Sequence, residues 1–406
     1  MLPRRLVLRI RGACRGMMPR WAARGHKINE VLSNRLESVP RDAPPSNRRA
    51  RTSNNRKRPM FALRHRLSRE TARLRLPLLA RLAAAAVAGG LLAGCMAMDV
   101  ASLAEAPQLS SKVKAEMAKK KMRPESPVLV RIFKQESELE VWKVDASGQY
   151  ALFKTYPMCR WSGKLGPKKK SGDRQAPEGF YHVSAGMLNP NSQYYVSFNL
   201  GYPNRLESAL GYTGEALMVH GACSSSGCYA MTDQGVGEIY AIVQRALEGG
   251  QQRFQVQAYP FRMTTQNMAK HRGDPNMPFW RTLKEGYDAF AFTRKQPKVS
   301  VCGGRYVFNT EFDGGEPSDP LAQCPAAVSE PATDLVAKLG AEQKRLDAAL
   351  ATTTTVSSFA YMDGGMHPSF RTLLKQQGAK GLAARISRTK YPVSRPEAAL
   401  ADPYDD

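Results

Sequence analysis

The 406-residue chain has no apolar run long enough to cross a membrane. Its candidate, Leu82–Ala93, falls short of the ~20 apolar residues a spanning helix needs. No Cys-x₂-Cys or His-x₃-His pair occurs and the six histidines are scattered, which argues against a metal centre. The Gly-Lys-Ser/Thr order of a phosphate loop is absent, and no repeat recurs at a solenoid period. Acidic residues are scarce at the amino end. Residues 1–95 hold 22 Lys and Arg against 4 Asp and Glu, whereas the other 311 residues hold 38 against 31. Most of the net charge of +25, a net of +18, therefore belongs to an amino-terminal extension rather than to a binding face. With aromatics sparse in that basic part, nucleic acid is not an expected partner.

The extension reads as a targeting segment. From Met60 a basic stretch runs to Arg81, and the apolar residues Leu82–Ala93 follow, the pattern of a secretory signal. It ends Leu92-Ala93-Gly94-Cys95, which looks like a bacterial lipobox. That likeness implies cleavage before Cys95, lipidation of its thiol and a membrane-tethered protein on the periplasmic side of the cell envelope. A plain cleaved signal with a chance cysteine is the alternative. Residues 1–59 are Arg-, Pro- and Asn-rich without periodicity and read as disordered or untranslated.

Five cysteines remain beyond Cys95. If Cys228 stays reduced, the other four are an even set for an oxidising compartment. Cys302 and Cys324, 22 apart around four glycines, form a natural pair. Cys159 with Cys223 is a possible second bridge, free buried thiols being the alternative.

The segment Met218-Val-His-Gly-Ala-Cys-Ser-Ser-Ser-Gly-Cys-Tyr-Ala-Met-Thr-Asp233 carries the chemistry. A thiol near its reference pKa of ~8.5 is mostly protonated at neutral pH, and an imidazole partner makes it reactive. His220 and Cys228 can supply that pair from one glycine-rich loop. A buried structural thiol fits such a loop poorly.

Along the chain, residues 96–125 read as a Lys-rich tether, 126–296 as one catalytic domain and 297–406 as an appendage, partly helical and partly disordered. Strand patterns occur at Val128–Lys134, Leu139–Val144, Tyr150–Tyr156, Phe180–Val183, Tyr194–Phe198 and Phe254–Ala258. Thr232 or Asp233 caps a predicted helix with Val236, Ile239, Tyr240, Val243 and Leu247 on one face, stopped by Gly249-Gly250. The fold class is thus α+β, mainly β with a few helices. A further amphipathic helix is predicted over residues 333–351, a linker over Thr352–Ser358 and an ordered turn over Asp363–Phe370.

His220-Gly, a short spacer and Ser226-Gly227-Cys228 resemble the signature of the L,D-transpeptidase catalytic-domain (YkuD-type) family. Gln175-Ala-Pro-Glu-Gly-Phe-Tyr181, Ser197–Pro203, Tyr156–Pro167 and Pro260–Thr264 add to the likeness, which covers about 126–296. Its ending, Gly-Cys-Tyr-Ala-Met-Thr-Asp, is similar to a murein-processing subgroup. The resemblance implies a β-sandwich catalytic domain acting on peptidoglycan stem peptides without a cofactor. Cys228 would attack the carbonyl at the L-centre of diaminopimelate and expel D-alanine, and His220 would act as general base, then acid. The backbone at Gly227 would help hold the oxyanion. Ser226 and Ala230 stand where many members have His and Arg. These departures leave hydrolysis open beside transfer, including release of murein-linked lipoprotein, and a decayed, purely binding protein is the third reading. Ser226 can donate a hydrogen bond.

Two further residues are candidates for substrate binding. Arg262 could take a stem-peptide carboxylate, an ordinary salt bridge being equally open, and Tyr202 could be a sugar platform rather than a packing aromatic. Trp161 carries the same choice. His182 reads as a core or surface histidine, His271 and His367 have no assigned role, and the Lys164–Arg174 stretch reads as a solvated loop or a contact to anionic murein.

Overall fold

Every residue of the first strand, β1 (Val128–Phe133), is buried, which explains its unbroken apolar reading: both faces of this strand are covered. A computed structural model describes residues 106–329, 332–352, 360–388 and 391–403. The signal-like segment, Cys95 and residues 1–59 lie outside the described residues, and no described helix is long and apolar enough to cross a membrane.

Ten strands build two five-stranded sheets. Those of the first are β1, β2 (Glu138–Val144), β3 (Tyr150–Pro157), β5 (Gly179–Ser184) and β10 (Arg253–Tyr259), in the order β3-β2-β1-β10-β5. The second contains β4 (Arg160–Trp161), β6 (Leu188–Ser192), β7 (Tyr195–Asn199), β8 (Met218–His220) and β9 (Tyr229–Ala230), in the order β4-β9-β8-β7-β6. Both are mixed, with β1 parallel to β10 and β8 parallel to β9. Side-chain alternation splits β1 between two faces, which pack into three clusters. Val128, Val130 and Ile132 join the main core with Val219 and Tyr229 of the second sheet. Leu129 packs with Trp142, Tyr150 and Phe290, while Phe133 joins Tyr259, Phe261 and Trp280.

Among the described residues the α-helices, α1 to α8 in chain order, are Ser111–Lys119, Arg205–Ala209, Asp233–Glu248, Thr265–Lys270, Met277–Thr293, Thr333–Thr352, Pro368–Ile386 and Pro396–Leu400. The Thr232 hydroxyl accepts from Gly235 N and caps α3, as its sequence predicts. Val236, Ile239, Tyr240 and Val243 of α3 are buried in the main core, each worth about 1.5–3 kcal/mol where an aliphatic side chain leaves water entirely. Helix α5 supplies Phe290, Trp280 and Leu283 to the outer face of the first sheet. Arg131 of β1 is buried beneath it, with its guanidinium over the rings of Phe133, Tyr259, Tyr287 and Phe290. No element is predicted for this stretch from sequence, although Met277, Trp280, Leu283, Tyr287 and Phe290 recur at helical spacing.

Two stretches outside the strand-rich region are structured as well. Inside the stretch read as a tether, Val113 and Met117 of α1 are buried in the main core. Beyond residue 296, β11 (Val299–Cys302) and β12 (Arg305–Phe308) form a hairpin that the Cys302–Cys324 disulfide ties down, and Tyr306 and Phe308 pack on Phe180. Further on, Gly365 pairs with Trp161 beside β4, so the Asp363–Phe370 turn extends the second sheet. Met366, Phe370, Leu374, Leu382, Ile386, Val393 and Ala399 then pack around the second disulfide, Cys159–Cys223.

Candidate active site

The parallel pairing of β8 with β9 sets the site. Val219 pairs with Tyr229 and His220 with Ala230, and both Val219 and Tyr229 point into the main core. Alternation therefore turns Met218 and His220 to the opposite face, and Cys228, one residue before β9, follows them. Cys228 is free and partly exposed. Its Sγ lies 3.5 Å from Met218 N and 3.8 Å from Ala216 O, so the thiol sits at the end of β8. The bridge Cys159–Cys223 leaves Cys228 out, as the even-number argument expected.

His220 is buried, and its Nδ1 lies 2.6 Å from Gly221 O. A carbonyl can only accept, so Nδ1 carries the proton and Nε2 keeps the lone pair. The Tyr194 ring lies on His220 at 4.6 Å, and Tyr391 lies on Tyr194 at the same spacing. Burial lowers the His220 pKa from 6.5, against the Gly221 bond and the Asp233 charge. Burial likewise raises the Cys228 thiol above 9.0, opposed by the Met218 N–H and the Lys168 charge. Both groups are therefore neutral at neutral pH.

The loop between them is held from several sides. Asp233 Oδ1 accepts from Ala222 N at 2.9 Å, and its Oδ2 takes Ser387 Oγ and Arg388 N. Ser225 Oγ donates to Cys228 O at 2.7 Å and accepts a long bond, 3.4 Å, from Gly227 N. Gly227 has φ +131°, a backbone that only glycine takes without strain, and an added Cβ would meet Leu217 at 3.3 Å. The glycine is demanded by backbone geometry, not by crowding of an incoming carbonyl alone.

Other expected residues fall elsewhere. Ser226 is exposed, and its hydroxyl accepts from Arg174 Nη1 at 3.3 Å. The candidacy of Arg262 for a substrate carboxylate is corrected: its guanidinium is paired with Glu138 at 2.5 Å and Glu140 at 2.7 Å, and it lies over the Phe133 ring. Tyr202 is buried with its hydroxyl donating to Lys168 O, and Trp161 is fully buried against Tyr361, so both are packing aromatics. Among the histidines, His182 borders a cavity of about 530 Å³ with Arg205, Arg253 and Lys298, His271 stacks on Phe261, and His367 caps α7. Lys168, in the stretch read as a solvated loop, is buried and paired with Asp173 at 2.5 Å. Among the described residues no cluster of His, Cys, Asp or Glu could hold a metal ion.

Ser394, Arg395, Asp363 and Tyr391 were not read as site residues, since nothing in their local sequence marks chemistry; only the turn at Asp363 drew notice. Chain folding brings Ser394 to Ser225 of the nucleophile loop, Asp363 to Gly163 and Arg174, Arg395 to Asp363, and Tyr391 to Tyr194.

Comparisons with known proteins bear on the family. The family described as "L,D-transpeptidase catalytic domain", YkuD, matches residues 129–282. A protein named Putative L,D-transpeptidase YafK from Escherichia coli strain K12 is 50% identical over 182 residues, 45% of this chain and 74% of that protein. Its counterpart in Escherichia coli O157:H7 gives the same values. Among solved structures, the helical cell shape determining protein Pgp2 of Campylobacter jejuni matches with a TM-score of 0.28 and 17% identity, over 46% of this chain and 79% of that one. On the strength of the YafK identity and the matched catalytic domain, the chain belongs to the YkuD family of L,D-transpeptidase catalytic domains.

Proposed function

We propose that the protein is a cysteine-dependent acyl transferase acting on peptidoglycan stem peptides. The single observation that carries the reading is the free, partly exposed Cys228 on the same sheet face as a buried His220 with its Nε2 lone pair available. In the proposed reaction His220 Nε2 takes the Cys228 proton as Sγ attacks the carbonyl at the L-centre of diaminopimelate. Because thiol and imidazole are both neutral, proton transfer accompanies attack instead of preceding it as a stable ion pair. The C–N bond breaks, His220 returns the proton to the amine of D-alanine, and a thioester to Cys228 remains. An acceptor amine then displaces the sulfur to form a crosslink.

Backbone N–H groups at Gly227 and Cys228 are the proposed oxyanion donors, and removal of one such donor typically costs ~10²–10³ in rate. The weak 3.4 Å bond of Gly227 N to Ser225 favours its release to substrate. The proposed setting is the bacterial envelope, with the membrane tether at Cys95.

Hydrolysis of the same thioester is the second reading, favoured by Ser226, an exposed hydroxyl where an additional imidazole would otherwise stand. Incubating the protein with disaccharide-tetrapeptide and weighing the products separates the readings. A crosslinked dimer with loss of alanine supports transfer, and alanine loss without dimer supports hydrolysis. An unchanged substrate rejects both.

A further inference from the structure

One carboxylate beside the nucleophile loop is surrounded by three guanidinium groups. Asp363 is buried, and its Oδ2 lies 2.9 Å from Arg395 Nη1, 3.4 Å from Arg174 Nη2 and 3.9 Å from Arg160 Nη2. Its Oδ1 is already bonded to Gly163 N at 3.0 Å. Arg160 is buried and turned inward to the carbonyls of Trp161, Asp363, Gly365 and Ser394. Arg174 and Arg395 are different: their side chains are 38% and 58% exposed. One carboxylate cannot neutralise three cations, so a surplus of positive charge faces solvent here.

The surplus lies next to the proposed chemistry. Arg174 Nη1 reaches Ser226 Oγ, two residues before the nucleophile, and an added Cβ on Gly227 would meet the Arg174–Gln175 backbone within 4 Å. Arg174 Nε is buried with no hydrogen-bond partner among the described residues, although a buried donor without a partner costs about 1–3 kcal/mol. A planar guanidinium held by Asp363 at one edge, with Nη1 in only a long 3.3 Å bond to Ser226, is suited to a carboxylate approaching its exposed Nη end.

We propose that Arg174 and Arg395 form a carboxylate-binding subsite at the mouth of the active site, holding a free carboxylate of the acyl-donor peptide. The inference rests on the stem-peptide reading above. It deepens that reading by naming what orients the donor. Such a peptide offers three carboxylates, that of the terminal D-alanine, that at the D-centre of diaminopimelate and the α-carboxylate of the γ-linked D-glutamate, and each has the required chemistry. Arg395 comes from the far end of the chain, so the subsite exists only when the carboxy-terminal segment is packed against the loop.

The test measures binding, not turnover. Full-length Cys228→Ala protein is titrated with four tetrapeptides: all carboxylates free, or one amidated, at the D-alanine, the diaminopimelate D-centre or the D-glutamate. One amidated form should bind about tenfold or more weakly, as expected for loss of a charge-assisted hydrogen bond, and it identifies the carboxylate held. Adding Arg174→Gln or Arg395→Gln should weaken binding of the free acid by a similar factor and abolish the penalty for amidation. Should Arg174→Gln unfold, the exposed Arg395→Gln carries the same comparison. Equal binding of all four peptides overturns the subsite alone, as does an undiminished amidation penalty in the arginine variants. No binding of any form overturns it together with the substrate reading.

Discussion

Ser394 holds both backbone polar groups of Ser225: its hydroxyl accepts from Ser225 N at 2.8 Å and donates to Ser225 O at 3.1 Å. Ser225 in turn bonds Cys228 O through its own hydroxyl. A residue 169 positions away thus fixes the peptide that supports the nucleophile. Ser394→Ala should cost roughly 1–2 kcal/mol of stability, at about 1 kcal/mol for each bond lost. In the assay with disaccharide-tetrapeptide we expect kcat to fall about tenfold with KM nearly unchanged, since the loop is displaced but substrate contacts remain. Ser394→Thr should recover most of the loss, and an equal fall in both variants would reject the positioning role.

Removing the Cys228 sulfur should end the chemistry and spare the fold. Cys228→Ala touches a partly exposed side chain outside both disulfides, so a stability change within about 1 kcal/mol is expected. Intact-protein mass spectrometry after mixing with substrate should show an acyl adduct on the parent protein and none on the variant. An adduct surviving in Cys228→Ala would place the nucleophile elsewhere.

The pH–rate profile follows from two opposite shifts. Acid inactivation requires protonating His220, whose pKa is held below 6.5, and alkaline change requires ionising Cys228, whose pKa is held above 9.0. The kcat/KM of the free enzyme should therefore be flat from about pH 6.5 to 9 and fall on the acid side only below that window. A narrow optimum centred near pH 6 would instead indicate a preformed ion pair.

Stability should fall in acid for a related reason. Burial holds both His182 and His271 at about 4, against 6.5 for an ordinary histidine. The unfolded chain binds protons between those values and the folded chain does not, so stability is complete above pH 6.5 and is lost as pH falls toward 4. The melting temperature should drop across this window. Replacing His271 with Gln should flatten that slope, and an unchanged slope would show that other groups dominate.

The bridge between Cys159 and Cys223 joins the start of β4 to the nucleophile loop across 64 residues. Closing a loop of that length is worth ~4 kcal/mol in the chain-entropy model. The double variant Cys159→Ala/Cys223→Ala should melt well below the parent and lose activity, while loss of Cys302–Cys324 should lower melting with activity per folded molecule retained. Calorimetry with a parallel rate measurement separates the two bridges.

Much of this protein could be read from local order. Strands β1, β2, β3, β5, β7 and β10 and the cap at Thr232 lie close to where alternation and turn chemistry put them, because those signals act over a few residues. The pair His220 and Cys228 was visible for the same reason: nucleophile and base sit on one short loop, and the loop's glycines mark its backbone. Helix α5 carried a legible stripe, Met277, Trp280, Leu283, Tyr287 and Phe290, that went unassigned, whereas the burial of the Lys-rich α1 depends on the core it covers.

Local sequence determined the chemistry that eight consecutive peptide links can bring together, namely a thiol, an imidazole and a glycine with positive φ. Only the tertiary structure decided what surrounds them. The pairing of β8 with β9 sets His220 and Cys228 on one face, burial keeps both neutral, Ser394 reaches the loop from the far end of the chain, and Arg395 reaches Asp363. Contacts at such separations depend on packing and desolvation, which no local pattern of residues records.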